Sequence, residues 1–376
     1  MTNVENGMTR RDAIRRVSGV GLGIASMLRV NPPVAAQGGA PPVIPPAGDP
    51  KFPAPPSWKT ELKQLAPNVY AYVQAGGPGQ GNGGGISNAG VIVADDKLMV
   101  IDTLSAPLHI KAMITATRAA VGNRPFKHVV NTHHHGDHVG NNQYFPDAEI
   151  IGHEFCRQEV MKLPWPAAWE KREGWAEGGE VRKIAPPTTT TSDDSTLRYH
   201  YGNTVVELIH MGVAHTWGDV LVYLPQHKVI FLGDVGFHYV VPFSHAGHVT
   251  KWLTVVDRIL AMDVELIVPG HGPLGGKKEF AEMGEYYRVL KTEARKRFDR
   301  GMSPGQAAAD IRLGKFDNWI GPERILLNTF RLYCEFDGTL TPVLDVARIT
   351  KAAEEFNAIQ KAAGRNRSQP MMDGLD

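Results

Sequence analysis

Asn131-Thr132-His133-His134-His135-Gly136-Asp137-His138 follows a β-forming run at His128 to Asn131 and brings His133, His135, Asp137 and His138 into a six-residue window. Imidazole nitrogen and carboxylate oxygen are the borderline donors that divalent zinc favours, and a donor set without thiolate keeps the ion a stronger Lewis acid. On an extended segment residues 133 and 135 face one way, so His134 points away and is read as a non-ligand. Gly136 permits the turn after which Asp137 and His138 can address a second ion, before a predicted helix.

Three further pieces lie downstream. His215 stands in Gly212-Val213-Ala214-His215-Thr216, Asp234 ends the apolar run Phe231-Leu232-Gly233-Asp234, and His271 follows a short β run in Pro269-Gly270-His271-Gly272. Each is a polar residue stranded at the end of an apolar stretch beside glycine, as a site on the rim of a rigid sheet requires. One short motif has a high false-positive risk, and four segments in order lower it steeply.

The set HxHxDH, GxxHTxGD, LGD and PGHG resembles the metallo-β-lactamase superfamily over about residues 60 to 275. The resemblance implies an α/β fold, a four-layer αββα sandwich, here followed by a helical C-terminal extension. It implies that His133, His135 and His215 hold one metal, that Asp137, His138 and His271 hold another, and that Asp234 bridges them, with Asp137 and Asp234 the catalytic carboxylates. Two zinc ions per chain are expected, with iron or manganese as alternatives. A hydroxide between the ions would be the nucleophile, because metal binding lowers the pKa of water towards about 7. Asp102, ending Val100-Ile101-Asp102, matches a family aspartate that orients a ligand histidine.

Aspartate at 234 departs from those true β-lactamases that carry cysteine or serine there, and resembles the thioesterase, lactonase and esterase branches. The expected reaction is hydrolysis of an ester, lactone, thioester or amide, a β-lactam included, in a small hydrophobic molecule. Displacement at a sulfate or phosphate ester or a haloaromatic carbon is the first alternative. A di-iron oxidoreductase or a non-catalytic metal scaffold is the second. Trp217, Phe237, His238 and Tyr239 flank ligand positions and are read as pocket walls, as are Trp165, Trp169 and Trp175 in the insertion from Pro164 to Ser195. Tyr199, His200, His245 and His248 are weaker candidates to approach the metals. The tail carrying Trp319, Glu323, Arg324, Asn328, Arg331 and Tyr333 is read as a packing or oligomer-forming element that could narrow the site.

Among the 376 residues, 42% are apolar and the formal charge is +1, so no basic field selects nucleic acid or an anionic membrane. A small molecule is the expected partner, and homo-oligomerisation stays open. Cys156 and Cys334 have no CxxC spacing and are read as two free thiols. Residues 1–36 hold Arg10-Arg11, a mildly apolar run from Val17 to Leu28 and Val34-Ala35-Ala36, the pattern of a twin-arginine signal peptide. That run is too short to anchor in a bilayer, so the expectation is export through the twin-arginine machinery to the periplasm or beyond. The leader carries five Arg against two acidic residues, so its removal takes the charge from +1 to −2. Residues 37–57 are a Pro/Gly-rich linker, 58–275 the catalytic domain and 276–376 the helical extension, with Gly76 to Gly85 a glycine-dense loop that could close over substrate.

Overall fold

The computed structural model describes residues 50–77, 86–162 and 183–364. The segment read as a signal peptide, most of the residues read as a linker and of the Gly76 to Gly85 loop, and the three tryptophans of the insertion lie outside the described residues.

Seven strands form one sheet in sequential order: β1 (Glu61–Ala66), β2 (Val69–Val73), β3 (Ala89–Val93), β4 (Leu98–Ile101), β5 (Phe126–Val130), β6 (Glu149–His153) and β7 (Thr189–Thr191). β1 to β4 are antiparallel neighbours, and β4 to β7 are parallel. The parallel connections need crossovers, which α1 (Pro107–Val121), the short α2 (Gly136–Val139) and α3 (Glu154–Lys162) help to supply. A second sheet has the order β12-β11-β10-β9-β8, from β8 (Thr196–Tyr201), β9 (Thr204–Ile209), β10 (Leu221–Leu224), β11 (Val229–Phe231) and β12 (Leu266–Val268). Only β11 and β12 run parallel in it, across α4 (Val249–Ala261).

The side-chain alternation of these strands explains the layering. Val69, Ala71, Ile92, Met99, Ile101 and Val130 of the first sheet interdigitate with Val206, Leu208, Val222, Val229 and Phe231 of the second. A Cβ at Gly90 would stand 2.5 Å from the Phe231 ring, so only glycine lets the sheets meet there. The opposite face of the first sheet, with Tyr72, Val100 and Val129, packs on Ile110 and Met113 of α1. The opposite face of the second, with Leu221, Tyr223, Ile230 and Ile267, is covered by α4, α5 (Lys277–Phe298), α6 (Pro304–Asp310), α7 (Ile325–Phe336) and α8 (Val346–Ala362). The result is the expected αββα sandwich with its helical C-terminal region, those helices being part of the outer layer. Cys156 and Cys334 are buried and unbridged. No helix among the described residues is long and apolar enough to cross a membrane.

Candidate metal centre

The residues singled out from sequence converge on one rim. His133 and His135 follow β5, Asp137 and His138 lie on α2, His215 sits between β9 and β10, Asp234 follows β11, and His271 follows β12. The two parallel pairs β4–β5 and β11–β12 thus deliver their C-terminal ends to the same place, as in open α/β sheets whose sites lie beyond the carboxyl ends. Two glycines allow the approach. Gly233 has φ 50°, and a Cβ there would come within 2.3 Å of Thr132 Oγ1. A Cβ at Gly270 would meet Asp234 Oδ1 at 2.0 Å.

The donors form two groups, His133, His135, His215 and Asp234 in one and Asp137, His138 and His271 in the other, and Asp234 also lies against the second. In the first, His215 Nε2 stands 2.8 Å from His135 Nδ1 and 3.3 Å from Asp234 Oδ2, and His133 Nε2 is 3.9 Å from that oxygen. In the second, His138 Nε2 stands 3.0 Å from Asp234 Oδ1 and 3.8 Å from Asp137 Oδ2. His271 Nε2 is 3.4 Å from Asp137 Oδ2 and 3.1 Å from either oxygen of Asp234. Donors about 2.0–2.1 Å from one tetrahedral ion stand roughly 3.3 Å apart. Nε2 of His133, His135 and His138 and Oδ1 of Asp234 are buried with no hydrogen-bond partner. Polar atoms so placed are costly to leave unsatisfied, and a cation in each group would satisfy them. The residues therefore fit two divalent ions.

Their surroundings hold the rings in place. Asp102 accepts from the Thr132 amide (2.8 Å) and hydroxyl (2.7 Å), and its Oδ2 lies 2.7 Å from His138 Nδ1. His271 Nδ1 lies 2.5 Å from the Ile86 carbonyl. A ring N–H directed at a carboxylate or carbonyl leaves the opposite nitrogen free for a metal. Asp102 has φ 60°, a left-handed conformation disfavoured for residues other than glycine and concentrated at functional sites. Asn88 straps the turn before His271, donating to the carbonyls of Pro269 (2.9 Å) and Gly272 (2.8 Å). Asp219 accepts from the Thr216 amide and hydroxyl and thereby fixes the loop carrying His215.

Burial, reinforced by His138, holds His133 far below the usual imidazole range, and burial with neighbouring His245 does the same to His135. Burial brings His215 down to about 4, although Asp234 opposes it. These rings are neutral at pH 7 and keep the lone pairs that a metal needs. Burial also penalises charge on His138, but Asp234, Asp137 and Asp102 overcome it and raise its pKa well above the ordinary value. Three carboxylates around that ring call for positive charge.

The pocket readings divide. Phe237 and His238 are fully buried. Phe237 stacks on the His271 ring at 5.1 Å and lies 6.0 Å from His215. His238 Nδ1 lies 3.0 Å from the Pro273 carbonyl, and the tightly approaching backbones of Gly272 and Gly275 confine it. Tyr239 lies beside Trp319 at 6.3 Å. Trp217 does line a cavity of about 450 Å³, with His248, Lys251, Lys291 and Glu335, but none of the seven donors lines it. Tyr199 packs beside His128 at 5.5 Å, and His200 is exposed. His134 turns to Phe155 (5.7 Å) and belongs to neither donor group, as read from sequence.

His245 does reach the site, stacking on His135. A third group, His153, Asp193 and His210, lies apart. There each Nδ1 accepts a backbone N–H, from Phe155 (3.1 Å) and Asp194 (3.0 Å) respectively, which places the neutral ring's proton on Nε2 and makes both rings poor metal donors. Asn88, Thr132 and Asp219 escaped the sequence reading as supports. The Asp of GxxHTxGD was the one signal that could have found Asp219.

The profile of the Metallo-beta-lactamase superfamily matches residues 82–271. The chain is 25% identical to the 2,4-dinitroanisole O-demethylase subunit alpha of Nocardioides sp. (strain JS1661), over 52% of this chain and 56% of that protein, little more than half its length. It is 24% identical to the metallo-beta-lactamase type 2 of Bacillus sp. (strain 170), over 57% of this chain and 77% of that protein. Among solved structures, an inverting sec-alkylsulfatase from Pseudomonas sp. superposes with a TM-score of 0.55 at 15% identity, covering 81% of this chain and 57% of that one. The superfamily's members are metal-dependent hydrolases, and this chain belongs to the metallo-β-lactamase superfamily.

Proposed function

We propose that the protein is a dinuclear, zinc-dependent hydrolase of small ester-type molecules. The observation that carries this reading is the place of Asp234 between the two groups: its Oδ2 lies 3.3 Å from His215 and 3.9 Å from His133, its Oδ1 lies 3.0 Å from His138, and His271 is 3.1 Å from both oxygens. When bound, two ions would supply Lewis-acid activation of a water molecule at neutral pH and charge stabilisation for the leaving oxygen. The chain's own part is positional. Asp102 and Ile86 aim the His138 and His271 rings, and Thr132 sets His133, its Oγ1 lying 3.1 Å from Nδ1. Asp137 is more exposed than Asp234 (side chains 17% against 5%), so the second donor group is the one that opens outward.

The bond attacked is, in the first reading, a carboxylic ester, lactone, thioester or amide. A second reading is displacement at a sulfate or phosphate ester or a haloaromatic carbon, another electron-poor centre that the same nucleophile could attack. It is favoured by the names of two relatives, the demethylase and the linear primary-alkylsulfatase of Pseudomonas sp. (strain ATCC 19151), the latter 21% identical over 59% of this chain. Export by the twin-arginine route, on Arg10-Arg11, completes the proposal.

Elemental analysis of the purified protein, with turnover of chromogenic carboxylic ester, lactone, thioester, cephalosporin, sulfate and phosphate substrates, tests it. About two zinc per chain and one substrate class lost in His133→Ala support the reading. Two irons without hydrolysis, or no bound metal, overturn it.

A further inference from the structure

The loop between β11 and α4 carries His245 onto the metal centre. Its ring stacks on His135 with centroids 4.3 Å apart and planes inclined by 27°, and lies 6.1 Å from His215. It is 8% exposed, its Nδ1 is buried with no hydrogen-bond partner, and it belongs to neither donor group. Gly247 seats this loop against the His215 turn, where a Cβ would come within 2.6 Å of the Ala214 carbonyl oxygen, and the His248 amide donates to that oxygen at 3.0 Å.

Three residues spaced as one helical stripe, at positions 324, 328 and 331, clamp the loop from the C-terminal region. Arg324 Nη1 donates to the Val241 carbonyl at 2.9 Å. Asn328 Nδ2 donates to the Pro242 carbonyl at 2.8 Å, and its Oδ1 accepts from the Ser244 amide (3.0 Å) and hydroxyl (2.7 Å). Arg331 donates from Nε and Nη2 to the Gly247 carbonyl at 3.1 and 2.7 Å. Hydrogen bonds therefore fix the backbone on both sides of His245, from residues beyond the part matched by the superfamily profile. A buried histidine so held, with a ring nitrogen to spare, is more than packing for His135, which an apolar ring would serve without the cost of an unpaired polar atom.

We propose that His245 is a catalytic residue whose ring N–H donates a hydrogen bond to the substrate oxygen on which negative charge develops, and that Arg324, Asn328 and Arg331 are the residues that position it. This rests on the hydrolase reading above. A donor fixed beside the ions would add to their stabilisation of that oxygen at little reorganisation cost.

The test is calorimetric titration of phenylphosphonate, a tetrahedral anion, into the zinc-loaded full chain, with zinc stoichiometry and the visible spectrum of the cobalt-substituted protein measured alongside. His245→Phe keeps the stack and removes the donor. It is expected to weaken phenylphosphonate about 10- to 100-fold, the range for a hydrogen bond to a charged group, with two metals and an unchanged cobalt spectrum. His245→Gln, which keeps a donor, is expected to recover much of the loss. Wild-type affinity in His245→Phe overturns the proposal, as does loss of metal in that variant, which would make His245 a support for His135. Zinc-loaded wild type that ignores phenylphosphonate overturns it as well. Failure of the hydrolase reading is distinguishable, because wild type itself would then hold no zinc.

Discussion

Asp102 Oδ2 lies 2.7 Å from Nδ1 of His138, and both side chains are almost wholly buried. The contact joins the end of β4 to the first turn after β5 and sets which nitrogen of His138 faces Asp137 and Asp234. Asp102→Asn tolerates the left-handed backbone at 102 but removes the charge. Zinc affinity should fall about 10- to 100-fold, measured by competition with a chromophoric chelator. Unchanged affinity would show that Asp102 supports the fold and not the metal.

Gly270→Ala should be severe for so small a change. The added Cβ would meet Asp234 Oδ1 at 2.0 Å and the Gly233 backbone at 2.7 Å, and backbone cannot swing aside as a flexible side chain can. Overpacking of this kind costs about 1–3 kcal/mol. Urea denaturation should show it, with bound metal reduced because Asp234 must move. A variant with full metal content and wild-type stability would refute the close approach.

Removing the metals should expose the pH response of the donors. Burial brings His215 to about 4 and His134 to about 3, below the ordinary 6.5. Between those values and 6.5 the unfolded chain binds protons that the folded chain refuses, so these rings destabilise the fold as pH falls through that window. His133, His135 and His245 are also lowered and act in the same sense. His138, raised by its carboxylates, acts oppositely, as does Asp219, which burial pushes up to about 7. The lowered rings outnumber them, so the chelated protein should melt at lower temperature at pH 5 than at pH 7. The opposite order would mean that these rings are not neutral in the folded chain.

Arg331 is 1% exposed, and its guanidinium holds the Gly247 and Thr341 carbonyls. Arg331→Met keeps most of the apolar stem but leaves the buried Gly247 carbonyl without its donor, at a cost of about 1–3 kcal/mol, while the carbonyl of exposed Thr341 can turn to water. Thermal unfolding should report the loss, and kcat should fall more than KM rises as the His245 loop loosens. A destabilised variant with unchanged kcat would confine Arg331 to stability.

Much of the architecture was legible because strand and helix periods are local. The strands at Ala89–Val93 and Leu266–Val268 carry unbroken apolar runs and the helix Ile325–Phe336 an apolar stripe, so their periods can be read from the residues alone. β1 (Glu61–Ala66) and β7 (Thr189–Thr191) are not legible in this way, β1 because edge position leaves it only half-buried and β7 because three threonines carry no apolar alternation. α4 does carry a legible helical stripe in Trp252, Val255, Val256 and Ile259.

What the sequence by itself determined is a set of candidate donors and their order, because zinc chemistry restricts the residue types and strand ends restrict their places. The tertiary structure decided how they combine. The place of Asp234 between the two groups, Phe237 stacking on His271, and α7 reaching back to hold the loop of His245 all depend on where two sheets and a distant helix meet. Residues 135, 245 and 331 share no local period, and only packing brings them together.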